Sequence, residues 1–355
     1  MLTQLDINRK KLDYYPWFDW LRILLALIVL LHHDGLMKVW PYSGNFAVQV
    51  FFALSGWLIG GILLNTKKAD LPRFYFNRAL RIWVPYFFAL ALLVVASLLH
   101  DQITLKWLEF VFYKLSFVYN IFGPPQLEMY LQSMPLQGTG NHFWSVNAEE
   151  QFYLLSPLLL VITPARFGKN ILTWIVLAAL AFFTQTYASI VLGVLSAVII
   201  EKFGNLHLTL FARLTFILII ILSIVGFTKQ LDYMFIAPLC AISIVMLLTT
   251  KGKQTSLGSF VGGMSYPLYM NQWIGGFITN FFFKYLGLSA PTFKHITSIL
   301  LSLAIAGTFY WFIDKRILAM RANLFTAARG EIVTIIAYAS VIVGVFVGLF
   351  LKFNT

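Results

Sequence analysis

Charge is what this sequence has least of. Lys, Arg, Asp and Glu together make up 11% of its 355 residues, and only 14 of them are acidic. Ordinary soluble domains carry roughly 25%. Hydrophobic residues reach 59% and mean hydropathy is +0.79, more apolar surface than a soluble fold of this length can hide. A bilayer removes the difficulty, because side chains facing lipid need no burial in protein. Cysteine is nearly absent: Cys240 stands alone in an apolar run, which excludes an intrachain disulfide and leaves the redox compartment open. Phosphate-binding glycine loops, dinucleotide fingerprints and metal-ligand spacings are all missing, so neither a nucleotide fold nor a metal site is expected. The net charge of +12 does not point to nucleic acid, because the positive residues are scattered through short segments and form no groove-sized patch. A cleavable signal peptide is also unexpected. Residues 1–16 are mostly polar, and the apolar stretch after Trp17 is long and lacks a small-residue cleavage pattern.

What remains is a series of apolar runs. A membrane helix needs about 20 such residues. Candidates fall at 20–38, 44–64, 80–99, 145–163, 171–186, 188–203, 211–228, 231–249, 262–286, 295–314 and 332–352. The pair 171–186 and 188–203 is short and tightly connected, and reading it as a hairpin that does not fully cross would change the count by two. With the N-terminus inside, inner segments hold 18 Lys/Arg and outer segments 7, leaving Arg22 within the membrane. That bias orients the chain. The expected fold is all-α: a polytopic transmembrane helical bundle of about eleven spans, N-inside and C-outside. The last run stops three residues before the final residue, so no soluble domain is expected after it.

One outer segment, 100–144, is too long for a simple connector and too aromatic for a solvated linker. Lys106, Glu109, Tyr113 and Ser116 recur at helical steps, with Trp107, Leu108, Phe110 and Val111 on the other face. The pattern predicts an amphipathic helix on the outer leaflet. A loop from Gly123-Pro124-Pro125 to Gly138-Thr139-Gly140 follows. It is expected either to form part of an acceptor site or only to brace the bundle.

Ionisable residues inside a span cost about 2.5–3.5 kcal/mol or more, so each is a functional candidate. Arg22 and His33 are eleven residues apart, about three turns plus 20°, and share one face of span one about 16 Å apart. His32 points about 100° away. A neutral imidazole can accept a hydroxyl proton at ordinary pH; the competing reading is a histidine bonded to a nearby carbonyl. Glu149 and Glu150 enter the fourth span from outside. Such a carboxylate can fix an imidazole's tautomer, or simply favour a helix N-terminus. Arg78 and Arg81, neighbours at i,i+3, can clamp a phosphate, or merely anchor the inner face. Ser55, Gly56, Gly60 and Gly61 admit close approach of a thin ligand or, more simply, of another helix.

Taken in order, these segments resemble the acyltransferase-3 family of membrane acyltransferases. Phe18-Asp19-Trp20-Leu21-Arg22 through His33 looks like the family's Arg-x10-His motif, and the register selects His33. Val50-Phe51-Phe52-Ala53-Leu54-Ser55-Gly56-Trp57-Leu58-Ile59 is similar to its second-span signature. Arg78-Ala79-Leu80-Arg81 looks like its Arg-x-x-Arg motif. Trp144-Ser145 through Glu149-Glu150-Gln151-Phe152-Tyr153, and Ser265-Tyr266-Pro267-Leu268-Tyr269, resemble two further elements. The chain departs from the pattern at Gln272, where many members have a histidine, and in having no room for the extracytoplasmic hydrolase-like domain of some relatives. The last span lies beyond the usual ten.

The resemblance implies a cytoplasmic segment 1–19, an acyltransferase-3 membrane domain 20–330 and an additional C-terminal membrane helix 331–355. It implies an O-acyltransferase of the bacterial inner membrane that moves an acetyl group from cytoplasmic acetyl-CoA to a hydroxyl of an extracytoplasmic glycan. His33 would be the general base, balanced by Glu149 or Glu150. Arg22, Arg78 and Arg81 would hold the donor, and Ser55, Trp144, Ser145, Tyr153 and Tyr269 would contact substrate. No metal is implied. Partners would be acyl-CoA, the glycan acceptor and membrane lipids, with homo-oligomers left open. Two other classes compete: a transporter or flippase, whose proton coupling would also use intramembrane Arg, His and Glu, and an acyltransferase acting on a lipid or small molecule.

Overall fold

The computed structural model describes residues 14–354 apart from Lys38, Val39, Pro41 and Pro125. Arg9, Lys10, Lys11 and Lys38 of the charge bias, Pro125 of the outer loop and most of segment 1–19 lie outside the described residues. Among the described residues every regular element is a helix. In chain order these are α1 (Pro16–His33), α2 (Ser43–Leu64), α3 (Leu71–Leu98), α4 (Leu105–Leu115), α5 (Tyr119–Phe122), α6 (Phe143–Pro157), α7 (Ala165–Gly168), α8 (Ile171–Phe183), α9 (Ala188–Phe203), α10 (Leu210–Thr228), α11 (Tyr233–Leu248), α12 (Ser256–Tyr285), α13 (Pro291–Phe309), α14 (Lys315–Leu324) and α15 (Ala327–Asn354). Short 3-10 turns and two π-helical turns, Leu158–Ile162 and Tyr310–Asp314, join them.

Each apolar run of the sequence falls on one of these helices, but the ends differ. α1 stops at His33 rather than running on to residue 38. Gly35 takes φ of 78°, in the left-handed region that glycine adopts without strain, and the Asp34 N–H closes the last turn on the Leu30 carbonyl at 2.9 Å. His33 is therefore the last residue of the helix, five residues short of the expected end of the run. Proline at the first turns of α1, α3 and α13 supplies a preset φ where no N–H partner is needed. Thr255 caps α12 by accepting the Gly258 N–H at 3.0 Å.

Among the described residues, six helical stretches are long and apolar enough to cross a bilayer: Pro16–His33, Ser43–Leu64, Lys68–Leu98, Leu210–Thr228, Pro291–Leu324 and Ala327–Phe353. Ile171–Phe183 and Tyr233–Leu248 are apolar but shorter. At 1.5 Å per residue α8 is about 20 Å long, less than a hydrocarbon core of about 30 Å. The chain is a multi-pass helical membrane protein.

α2 lies at the centre, packed against α1, α6, α9 and α11, while α12 joins α1 to α13. Closeness in the middle depends on glycine. A Cβ on Gly56 would strike the Ile190 carbonyl oxygen of α9, and one on Gly193 would strike the Ala53 carbonyl of α2. For Gly56 and Gly60, which also faces α9, the helix-packing reading is the right one.

Segment 100–144 forms a built cap. Thr104 starts α4 by accepting the Trp107 N–H at 3.1 Å. Its buried residues include Trp107, Phe110, Val111 and Lys114, one helical face, whereas Leu105 and Leu108 point outward at 87% and 50% exposure. The face expected from sequence is thus rotated: Leu108 is outward and Tyr113 inward, because the α4 residues pack on the bundle rather than float above it. Asp101 anchors the following loop, accepting from Ser97 Oγ at 2.5 Å and from the Leu136 N–H at 2.6 Å. Leu136 and Gln137 sit at φ of 45° and 52°, each costing about 1–2 kcal/mol, so this anchor holds strained backbone in place. Asn147, fully buried on α6, binds the cap to the bundle: its Oδ1 accepts the Tyr119 N–H at 3.0 Å and its Nδ2 donates to Tyr86 Oη at 2.8 Å. α15 closes the side of this cap against α3, α4 and α6, and Tyr338 donates to the Leu154 carbonyl at 2.8 Å.

Candidate active site

One face of α2 presents Val48, Phe51, Phe52, Ser55, Leu58, Ile59 and Ile62 to a cavity of about 240 Å³. Fourteen residues of helix separate the first from the last, so the cavity is a slot about 21 Å long. α1 contributes Arg22, α3 contributes Arg78 and Arg81, α6 contributes Ser145, Glu149 and Tyr153, and α12 contributes Ser265, Tyr266 and Tyr269. The helices run so that the arginines line the end nearest the N-terminus of α1, and Ser145 and Tyr269 line the opposite end.

Positive charge dominates the slot. Arg22 donates to Asp19 Oδ1 at 3.1 Å, and Tyr14 also donates to Asp19. Arg78 lies over the Tyr153 ring at 5.7 Å, a cation–π placement. Among the described residues neither Arg78 nor Arg81 forms a salt bridge with a carboxylate. Glu149 is the acidic side chain on the lining, and it accepts hydrogen bonds from the hydroxyls of Ser55 and Tyr153, the latter at 2.5 Å. Three guanidiniums facing one carboxylate leave a cavity that favours an anionic ligand.

The two glutamates part company. Successive residues of a helix diverge by about 100°. Glu149 faces the slot, whereas Glu150 is buried at 4% exposure against α3, accepting from Trp83 Nε1 at 2.9 Å. Neither has a hydrogen bond or salt bridge with His33. Trp144 is also off the lining; its ring packs edge-on to Phe52 at 5.9 Å. Of the residues expected from sequence, Arg22, Ser55, Arg78, Arg81, Ser145, Glu149, Tyr153 and Tyr269 come together in one cavity, and His33, Trp144 and Glu150 stand outside it.

His33 is exposed at the C-terminal end of α1. Its ring lies 5.6 Å from that of His142, which lies 5.4 Å from that of Tyr269 on the cavity lining. His142 was not among the residues expected from sequence. It is buried at 7% exposure, and its Nε2 has no hydrogen-bond partner among the described residues. Burial first, and then the nearness of His33, holds its imidazole well below the ordinary value, so it is neutral. Tyr269 Oη and Ser145 Oγ are 2.6 Å apart, and both approach the His142 carbonyl, at 3.2 and 3.0 Å. Ring contacts through Tyr269 and His142 thus link the Ser145 end of the slot to His33. His32, by contrast, packs on Gly44 and meets Ser43 Oγ at 3.2 Å, a structural placement. Asp34 binds α13 through His295 at 2.6 Å and Ser298 at 3.1 Å, fixing the end of α1. Lys114 was also missed: fully buried, with Nζ 3.1 Å from the Tyr119 ring centroid and no hydrogen-bond partner, it is held well below the ordinary amine value by burial. Its only sequence signal was its i+3/i+4 spacing from Phe110 and Val111. No group of three or more metal-binding side chains occurs among the described residues.

Comparison with known proteins agrees with this architecture. A Staphylococcus aureus (strain NCTC 8325 / PS 47) protein named O-acetyltransferase OatA is 27% identical over 173 residues, 47% of this chain and 28% of that protein. A protein of Staphylococcus aureus strain COL, named "Putative O-acetyltransferase", is 31% identical over 166 residues, 43% of this chain and 26% of its own length. The matched region therefore spans little more than a quarter of these curated relatives. No solved structure matches. The family profile described as an acyltransferase domain matches residues 15–314, from the start of α1 to the second π-helical turn, and so takes in every residue of the cavity. The chain belongs to the acyltransferase-3 family.

Proposed function

We propose that this protein is a membrane O-acyltransferase that takes an acetyl group from acetyl-CoA on the cytoplasmic side and delivers it to a hydroxyl of an extracytoplasmic glycan. The observation that carries the reading is the slot itself: Arg22, Arg78 and Arg81 line one end and a hydroxyl-rich wall the other, inside a bundle where unpaired charge is costly. A thioester whose phosphates rest on Arg78 and Arg81 would extend a thin, mostly apolar arm along Ile62, Ile59 and Leu58 toward Ser55. Arg22 balances charge that develops on the thioester. The acceptor arrives at the Ser145 and Tyr269 end. Its hydroxyl proton goes to His33, the exposed imidazole that stands beyond the rings of Tyr269 and His142. The names of the O-acetyltransferase relatives support the acyl transfer.

The Lys/Arg bias supports an N-inside bacterial inner-membrane orientation, with about eleven crossings if α8 and α9 both cross. Nine crossings would keep the same polarity. The decisive experiment places purified protein in lipid nanodiscs with acetyl-CoA and measures binding, comparing wild type with Arg78→Ala and Arg81→Ala. Weakened binding in folded variants supports the donor site. Equal affinity would return these arginines to membrane anchoring, and a protein that never consumes the thioester with any acceptor would favour transport.

A further inference from the structure

The slot and His33 are separated by the rings of Tyr269 and His142. Direct transfer requires the acceptor hydroxyl to come within about 3–3.5 Å of the donor carbonyl. The slot carries hydroxyls of its own on its lining. Its lining has three serines. Ser265 gives its hydrogen to the Gly262 carbonyl at 2.6 Å, an ordinary helical back-bond. Ser145 is engaged with the His142 carbonyl and Tyr269 Oη. Ser55 alone gives its hydrogen to a carboxylate, that of Glu149, which Tyr153 holds by a second hydrogen bond. A hydroxyl bonded to a base, with the base fixed by a third group, is the arrangement that activates a nucleophile.

We propose that Ser55 is the nucleophile of a two-stage transfer and carries the acyl group between donor and acceptor; the proposal rests on the acyl-CoA reading above. In the first stage Ser55 Oγ bonds to the thioester carbonyl carbon and its hydrogen passes to Glu149. The carbon–sulfur bond breaks, and CoA leaves as a thiolate that the cavity guanidiniums balance and cytoplasmic water protonates. In the second stage the acceptor hydroxyl bonds to the same carbon, and its proton goes to His33. The bond to Ser55 Oγ breaks, and the serine recovers its hydrogen from Glu149. One thioester and one hydroxyl are consumed; one ester and one thiol are formed. This places the two proton acceptors, Glu149 and His33, at the two ends of a relay and explains why they do not touch.

The test is isotope exchange between labelled CoA and acetyl-CoA in nanodisc-embedded protein with no acceptor present. Only a covalent acyl-enzyme permits it. Wild type and His33→Ala are expected to exchange, Ser55→Ala to fall to background, and Ser55→Cys to exchange and hold an acetyl adduct that peptide mass spectrometry assigns to the new thiol. Acetyl-CoA binding is measured on the same samples, and ester-linked acetyl on the glycan of cells expressing each variant. Wild type that binds acetyl-CoA and acetylates glycan but does not exchange overturns the role of Ser55 and leaves the donor site standing, as does Ser55→Ala with undiminished glycan acetylation. Wild type that does not bind acetyl-CoA overturns both.

Discussion

The imidazole of His33 stands 5.6 Å, centroid to centroid, from that of His142, and no glutamate is bonded to either. In the proposed mechanism His33 serves the acceptor and not the donor. His33→Ala should therefore reduce glycan acetylation by about 10²–10⁴-fold, the usual contribution of a general base, while acetyl-CoA affinity stays unchanged. Mass spectrometry of surface glycan, paired with binding to purified protein, checks both halves. Unchanged acetylation would remove His33 from the mechanism.

Arg78 and Arg81 line the slot without a carboxylate partner. Each charge-assisted hydrogen bond to a phosphate is worth about 1.5–3 kcal/mol, so Arg78→Ala or Arg81→Ala should weaken acetyl-CoA binding about 10–150-fold. Lysine should restore part of the loss at best, because an ammonium cannot reproduce the guanidinium fork. Calorimetric titration of folded variants reads this directly.

Glycines of α2 should behave in opposite ways. Gly56→Ala drives a methyl into the Ile190 carbonyl and should destabilise the bundle by about 1–3 kcal/mol. Gly61→Ala meets nothing within 4 Å and should be neutral or gain about 0.5–1 kcal/mol of helix stability. Thermal unfolding in one detergent compares them. Equal midpoints for the two variants would contradict the α2–α9 packing.

The cap should loosen in acid. Burial raises the Asp101 carboxyl, but hydrogen bonds from His100, Ser97 and the Leu136 N–H outweigh it and hold the group below its ordinary 3.8. A depressed folded value means the anchor stabilises the cap fully above that ordinary range and is lost as pH falls through the lower folded value. Hydrogen exchange in 127–138 should be slow at neutral pH and quicken in strong acid. Asp101→Asn should show quick exchange at neutral pH. An unaltered exchange pattern in that variant would contradict the anchoring role.

Much of this was legible in the sequence because a membrane imposes simple rules. Apolar runs mark helices wherever they occur, and all eleven coincide with one. Motif residues from α1, α2, α3, α6 and α12 line one slot, although His33, Trp144 and Glu150 stand outside it. The adjacency of Glu149 and Glu150 concealed that one lines the cavity and the other packs on Trp83, since only the helical phase of α6 relative to α2 and α3 decides that. The apolar run continues past His33 to residue 38, but the turn at Gly35 ends the helix at His33 regardless. Lys114 reads as a solvent-facing lysine until the docking of α4 turns it inward. In each case a tertiary contact, absent from local pattern, made the choice.

The central claim is that one slot holds the donor, phosphates at the arginine end and acyl group beside Ser55 and Glu149. Cryo-electron microscopy of the protein in nanodiscs with a non-cleavable thioether analogue of acetyl-CoA tests it most directly. The account predicts density along α2 from Ile62 to Ser55, with phosphate density against Arg78 and Arg81. An analogue bound elsewhere, or a slot filled by lipid while the analogue binds, would contradict it.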